Sequence, residues 1–252
     1  MKTAIIGGTG LYSAGDGRQI IQETEYGKAH LDVIDIDGME VAFLARHGRG
    51  HTVPPHRINY RANMKALYDL GVRHVYASVA VGSMNPSYKP GDLVVLSDFL
   101  DFTKVREQTY FTGGEAGVRH VDMTDPYCKN LRQLFFDKAA ELGVPIAGSG
   151  VYVTTEGPRF ETAAEIRFMR LIGGDVVGMT NVPEAVLAKE LGICYSAVGI
   201  VTNWCTGMTE DISGHEIDQL VGGRKDELTR LFIEVFKMHP VQSNCQCNAS
   251  LI

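Results

Sequence analysis

Short apolar, β-rich runs, each stopping at a loop of glycines, hydroxyls or basic residues and separated by helical patterns, constrain this chain more than any other feature. Thr3 to Ile6 runs into Gly7-Gly8-Thr9-Gly10, Val41 to Ala45 into Arg46-His47-Gly48-Arg49, and Cys194 to Val201 into Thr202-Asn203-Trp204-Cys205; His74 to Val81 is a further run of strand length. Helical patterns fill the intervals. One covers Asn59 to Leu70 and is closed by Gly71; another has Asp125 as N-cap, Pro126 at its first position and Gly143 as its stop. Glu161 to Ile172 and Val182 to Leu191 continue the alternation, and Ser213 with Glu216 forms a capping box for a final helix that Gly222-Gly223 would kink. Strands alternating with helices predict an α/β fold, a mixed central sheet flanked by helices, with ligands gathered at the loops leaving the strand ends.

Composition narrows the classes of partner. Lys and Arg number 24 against 30 Asp and Glu, a net charge of −6, which argues against nucleic acid because a phosphate backbone needs a clustered basic face. At 44% hydrophobic the chain has the material for a sizeable core. No run approaches the roughly 18 apolar residues that would span a bilayer, and no signal-like segment opens the sequence, so a cytoplasmic protein without a membrane partner is expected. With no linker, repeat or low-complexity stretch, the expectation is one domain over residues 1–240 and a flexible polar tail over 241–252. Five cysteines, an odd number and scattered, read as reduced thiols. Cys245 and Cys247 fall in the tail without visible partners, so no metal site is expected.

Five loops carry residues suited to chemistry, each with a plainer alternative. Gly7-Gly8-Thr9-Gly10 offers unobstructed amides and a hydroxyl to an anion, yet fails as a dinucleotide fingerprint because the third glycine would fall on Ser13. Arg46 and His47, with His51, His56 and Arg57 nearby, supply a fork for phosphate oxygens, or merely a solvated basic turn. Phe160 and Glu161 can stack on a planar base and accept its ring N–H, or serve as a core residue and a helix N-terminal acid. Thr180, after Met179, can meet phosphate or simply cap the helix that follows. Asn203 can donate to and accept from a heterocycle edge, or form a turn.

Taken together, the strings Ile5-Ile6-Gly7-Gly8-Thr9-Gly10, Ala45-Arg46-His47-Gly48-Arg49, Asn59-Tyr60-Arg61-Ala62-Asn63, Gly157-Pro158-Arg159-Phe160 and Met179-Thr180 with Val182-Pro183-Glu184 are collinear with a known pattern. From Thr3 to about Glu216 the chain resembles the trimeric purine nucleoside phosphorylases, specifically their methylthioadenosine phosphorylase branch. The resemblance implies the purine nucleoside phosphorylase-like fold. It also implies phosphorolysis, in which inorganic phosphate attacks the anomeric carbon of a purine nucleoside and releases the base, with neither metal nor organic cofactor. By carry-over, Thr9, Arg46, His47, Thr180 and the backbone near Ala80 hold phosphate, Phe160 stacks on the base, Met179 lies against the ribose and Asn203 addresses N7. Arg46, His47 and Asn203 thereby become the catalytic candidates. His120 matches a position that reaches the 5′ substituent of a neighbouring subunit, which implies a homo-oligomer, a trimer or hexamer.

Two departures from the branch bear on the base. Its adenine-using members carry Asp-Tyr-Asp where this chain has Asn203-Trp204-Cys205, and commonly Ser where Glu161 stands. Asn203 can donate to a 6-carbonyl and Glu161 can accept from N1–H, whereas adenine presents the opposite polarity at both atoms. A 6-oxopurine preference follows. At the 5′ position the signals conflict: Thr9 and His120 resemble the methylthio branch, while Ser213-Gly214-His215-Glu216 is similar to a segment whose histidine meets a 5′-hydroxyl in inosine-cleaving relatives. S-methyl-5′-thioinosine stands first, inosine or guanosine second, and methylthioadenosine remains as an alternative. A non-catalytic nucleoside-binding protein is the rival from another class; the joint presence of Thr9, Arg46, His47 and Thr180 favours turnover.

Overall fold

The computed structural model describes the backbone of residues 2–7, 17–209 and 217–252. Among the described residues nine strands form one mixed sheet: β1 (Thr3–Gly7), β2 (Arg18–Thr24), β3 (Gly27–Ile36), β4 (Met39–Ala45), β5 (His74–Ser83), β6 (Leu93–Asp101), β7 (Gly148–Thr154), β8 (Val176–Gly178) and β9 (Cys194–Trp204). Five α-helices of the described residues surround it: α1 (Tyr60–Asp69), α2 (Lys129–Glu141), α3 (Ala163–Leu171), α4 (Asn181–Glu190) and α5 (Ile217–Lys237). The strand order is β2-β3-β4-β1-β5-β8-β7-β6-β9, and β9 also pairs along β5. Strands β5 to β9 therefore curl into a closed ring, from which β1 and the antiparallel meander β2-β3-β4 extend.

The apolar runs become strands buried on both faces. In β1, Ala4 and Ile6 join the core shared with Met64 and Leu67 of α1 and Leu187 of α4, while Ile5 faces the opposite core of α2 and α5. That second core is aromatic: Tyr76 of β5 stacks on Phe232 of α5 at 4.5 Å between ring centroids and meets Phe135 of α2. Strands covered on both faces read as continuous hydrophobic stretches, which is why β1, β5 and β9 stand out in the sequence. β2 is half exposed and mostly polar, so its period is masked; its partner β3 alternates and ends at Asp37-Gly38, both at positive φ, a hairpin signal that leads into β4.

Helix ends follow local chemistry, with corrections. The helix expected over Asn59 to Leu70 is α1, with Asn59 as its N-cap, its side chain accepting from the Ala62 N–H at 3.0 Å. α2 starts at Lys129 with Cys128 as its N-cap, not at Asp125 and Pro126; the Cys128 N–H is held by the Tyr195 carbonyl at 2.7 Å, which fixes the start of the helix against β9. α5 passes through Gly222-Gly223 as one helix, because packing of its apolar face on β5 and β9 overrides the modest helical penalty of glycine. The expected capping box of Ser213 and Glu216 lies outside the described residues.

The expected flexible tail is also corrected. Leu251 bridges Val121, the Ile252 N–H donates to the His120 carbonyl at 2.8 Å, and the Asp122 N–H donates to the Ser250 carbonyl at 2.8 Å. Ser250 donates its hydroxyl to the Lys189 carbonyl at 2.8 Å, and Cys247 is buried against the α2 and α5 core. A segment that is polar by count is thus anchored by a buried thiol and by its own backbone.

Candidate active site

Loops at the ends of β4, β5, β7, β8 and β9 enclose a cavity of about 500 Å³. β4 delivers Arg46 and His47, β5 contributes Ala80 to Gly82, β8 leads into Met179 and Thr180, the loop after β7 brings Phe160 and Glu161, and β9 ends in Asn203 and Cys205. Ala80 is the one residue between His74 and Val81 of β5 that is open to solvent, where the strand backbone forms the cavity floor.

Arg46 is 2% exposed, not part of a solvated turn. Its Nε and Nη2 donate to the two carboxylate oxygens of Glu184 at 2.5 and 2.9 Å, and Nη1 donates to the Ser78 carbonyl at 3.0 Å. Burial works against the guanidinium charge, but Glu184 outweighs it and holds the pKa above the ordinary arginine value. Glu184 also accepts from Tyr195 at 2.6 Å; Tyr195 accepts from the Asn181 amide at 2.6 Å, whose carbonyl accepts from Tyr127 at 2.7 Å. A buried chain of side-chain hydrogen bonds thus runs from α2's approach to Arg46; it takes up the Nε and Nη2 edge of the guanidinium and fixes its position in the cavity wall, so a ligand can use only the second N–H of each terminal nitrogen.

His47 is bound through Nδ1 to the Val53 carbonyl at 2.9 Å, which requires the Nδ1–H tautomer and leaves Nε2 as an acceptor. Burial first, and then the Arg46 charge, lower its pKa to about 4, so the ring is neutral near pH 7. Thr180 is the N-cap of α4, yet its side chain makes no capping hydrogen bond. Thr180 lines a cavity that also contains Arg46 and His47, which sets its hydroxyl beside a guanidinium and an imidazole, groups that suit an anion; its own N–H donates to the Tyr152 hydroxyl at 3.3 Å.

The far end of the cavity is built differently. Phe160 is 74% exposed, so it is no core residue. Glu161 precedes α3 without serving as its acid: Thr162 and Glu165 form the capping box, while the buried Glu161 carboxylate accepts from Thr155 at 2.5 Å. A register shift between Val81 and Gly82 leaves Thr202 as a bulge in β9, which turns Asn203 into the cavity rather than into a hairpin turn. Asn203 accepts from Thr202 at 2.7 Å and donates to the Trp204 carbonyl at 2.8 Å. Cys205 is buried, and burial with the Glu161 charge pushes its thiol up to about 12, so it remains protonated. Two glycines make room here. A Cβ on Gly82 would lie 3.0 Å from the Cys205 sulfur, and one on Gly157, at φ +63°, would lie 2.5 Å from Met179 Sδ.

The cavity brings together Arg46, His47, Ala80, Phe160, Glu161, Met179, Thr180, Asn203 and Cys205. His120 is exposed on the segment paired with the C-terminus and does not line it. Thr9 and His215 lie outside the described residues. Sequence reasoning missed the roles of Glu184, Tyr195, Asn181 and Tyr127; Val182-Pro183-Glu184 was visible as a string, but nothing local ties its carboxylate to Arg46.

Comparison with known proteins identifies the family and the fold. A match to the Phosphorylase superfamily spans residues 2–234. The chain is 49% identical to the probable 6-oxopurine nucleoside phosphorylase of Moorella thermoacetica, over 98% of this chain and 97% of that one. It is 46% identical to the 6-oxopurine nucleoside phosphorylase of Pyrococcus furiosus, over 99% of this chain and 97% of that one. Among solved structures it is similar to a methylthioadenosine phosphorylase from an Antarctic soil metagenomic library, with a TM-score of 0.89 and 33% identity, covering 99% of this chain and 90% of the other.

Proposed function

Because the chain belongs to the Phosphorylase superfamily, we propose that its cavity carries out phosphorolysis of 6-oxopurine nucleosides, with phosphate at the Arg46 end and the base at the Asn203 end. One observation supports this reading: a single cavity is lined by Arg46, His47 and Thr180, which suit an anion, and by Phe160, Glu161 and Asn203, which suit a planar base. Arg46 is anchored at Ser78 and the Asn203 and Cys205 side chains pack at Gly82, four residues further along β5, which is about 13 Å of strand. A ribose fits between the two.

In the reaction a phosphate oxygen bonds to C1′ as the C1′–N9 bond breaks and its electron pair passes to the purine. The sugar is cation-like at the transition state, so phosphate on one face stabilises it, while a hydrogen bond at the base stabilises the charge arriving there. Arg46 and the Thr180 hydroxyl orient phosphate, and neutral His47 accepts an O–H of the hydrogen phosphate dianion through Nε2. Phe160 covers the base plane, and Met179 lies against the ribose. The Asn203 amide exchanges its Trp204 contact for the base, and the second oxygen of Glu161 accepts N1–H. With adenine both pairings reverse, and leaving buried polar groups unpaired in this way costs about 10⁴-fold in selectivity. Inorganic phosphate is a co-substrate, and no organic cofactor enters the scheme.

His120 lies away from its own cavity, and a homo-oligomer in which it reaches the 5′ group of a neighbour's substrate completes the site. Among the described residues no helix is long and apolar enough to cross a membrane.

The test is release of free base from inosine, guanosine, S-methyl-5′-thioinosine and methylthioadenosine, with and without phosphate. Phosphate-dependent release from the 6-oxopurine substrates is expected. Phosphate-independent release would indicate a hydrolase, and none at all a binding protein. Methylthioadenosine as the best substrate would overturn the polarity argument, and the ratio of inosine to S-methyl-5′-thioinosine turnover reads the 5′ preference.

A further inference from the structure

Four of the five cysteines converge at a place remote from the cavity. Cys128 is the N-cap of α2, Cys194 opens β9, and Cys245 and Cys247 belong to the C-terminal segment. Their sulfur atoms all lie within 4.8 Å of one another, with Cys194 and Cys245 at 3.3 Å. Cys128, Cys194 and Cys247 are buried and Cys245 is half-buried. The sequence expectation that Cys245 and Cys247 lack partners, and that the chain has no metal site, rested on their separation from Cys128 and Cys194 along the chain; the fold removes that separation.

We propose that Cys128, Cys194, Cys245 and Cys247 form a tetrathiolate site for one soft divalent ion, zinc by its chemistry, which pins the C-terminal segment to α2 and β9. Four sulfurs bound tetrahedrally at about 2.3 Å from zinc stand about 3.8 Å apart, inside the observed span. A multi-iron cluster would sit between the sulfurs and hold them further apart. Among the described residues no carboxylate or imidazole joins the group, so the donor set is all sulfur, which selects soft ions over magnesium or calcium. Convergence of all four also distinguishes one central ion from two independent cross-links, which would need only pairwise approach.

The surroundings suit bound thiolates. Cys128 stands where the unpaired amides and dipole of α2 favour negative charge, and no side-chain cap competes for them. Gln242 bonds through its amide to the Gly192 carbonyl at 2.7 Å and lies 3.7 Å from the Cys194 sulfur, holding a donor against it. The consequence reaches further. The pinned segment pairs with residues 120–122, so the ion would also fix the strand that presents His120.

The experiment uses the full chain, purified under reducing conditions, with metal analysis, intact mass and thiol titration before and after a strong chelator. One equivalent of zinc per chain is expected, with the four thiols becoming reactive only on chelation. Replacing zinc by cobalt should give the near-ultraviolet thiolate charge-transfer and visible absorption of tetrahedral cobalt. Cys245→Ala should lower bound metal at least tenfold, while Cys245→His, which keeps a zinc ligand, should retain it. A reduced wild-type chain that takes up neither zinc nor cobalt overturns the proposal whether or not the variants fold. So does a metal-free chain whose mass shows the hydrogens of paired thiols lost to disulfides. The four cysteines do not line the cavity, so failure of either kind leaves the phosphate-dependent release of base from 6-oxopurine nucleosides to be read separately by its own assay.

Discussion

The two ends of the cavity solve different problems. At the end proposed for phosphate, Arg46 and His47 are committed in advance: Arg46 is buried and held by Glu184, Glu184 by Tyr195, and His47 by a backbone carbonyl. At the base end Phe160 is bare, and Asn203 is tied to its chain neighbours Thr202 and Trp204, bonds that a ligand can replace. The difference teaches where rigidity is useful. A common anion facing a developing cation needs charge aimed beforehand, because reorientation during reaction would consume the stabilisation. Choosing among bases needs only a few polar groups of the right sign on a surface that the base itself completes.

That contrast can be broken most forcefully at Glu184. Glu184→Ala leaves Arg46 charged and unpaired in the interior, and is expected to destabilise the fold by about 3–5 kcal/mol in denaturant titration; a loss below 1 kcal/mol would mean the phosphate end is not prewired. Asn203→Ala should lower turnover about 10²- to 10³-fold with stability nearly intact, since it removes an aimed donor from a half-buried position. The paired exchange Glu161→Ser with Asn203→Asp should then move selectivity toward adenine nucleosides, and unchanged selectivity would relocate the reading of the base elsewhere.

His47 offers a smaller, pH-dependent test. Its folded pKa is about 4 against an ordinary 6.5, so between those values the unfolded chain binds the extra proton and stability falls as pH falls. His47→Gln should remove about 2 kcal/mol of that acid loss, after allowance for partial solvent screening, and change nothing above pH 7. The buried His74, also lowered chiefly by burial, keeps its own share in the same direction. Smallest of all, Phe160→Ala should raise KM roughly tenfold, the size of one lost base stack, without altering the melting temperature because the ring is exposed. A drop in melting temperature would instead give Phe160 a packing role.

Much of this site was legible before folding. Arg46, His47, Met179, Thr180, Phe160, Glu161 and Asn203 all stand at strand-end loops, where unobstructed backbone and unusual side chains coincide, and the base polarity follows from residue type alone. Thr202 as a bulge was not legible, because a register shift depends on how β9 lies against β5. The meander from β2 to β4 was read only in part, since a half-exposed strand of mostly polar residues has no hydrophobic run to announce it.

What the sequence determined by itself was therefore local: which stretches bury both faces, where helices start and stop, and which donors and acceptors each loop presents. Tertiary structure alone decided that Glu184 would neutralise Arg46 across 138 positions of sequence, and that thiols from α2, β9 and the C-terminal segment would meet. The reason is physical. Propensity, capping and side-chain chemistry act over a few residues, whereas desolvating an arginine or gathering four sulfurs depends on which surfaces the closed sheet and its helices press together.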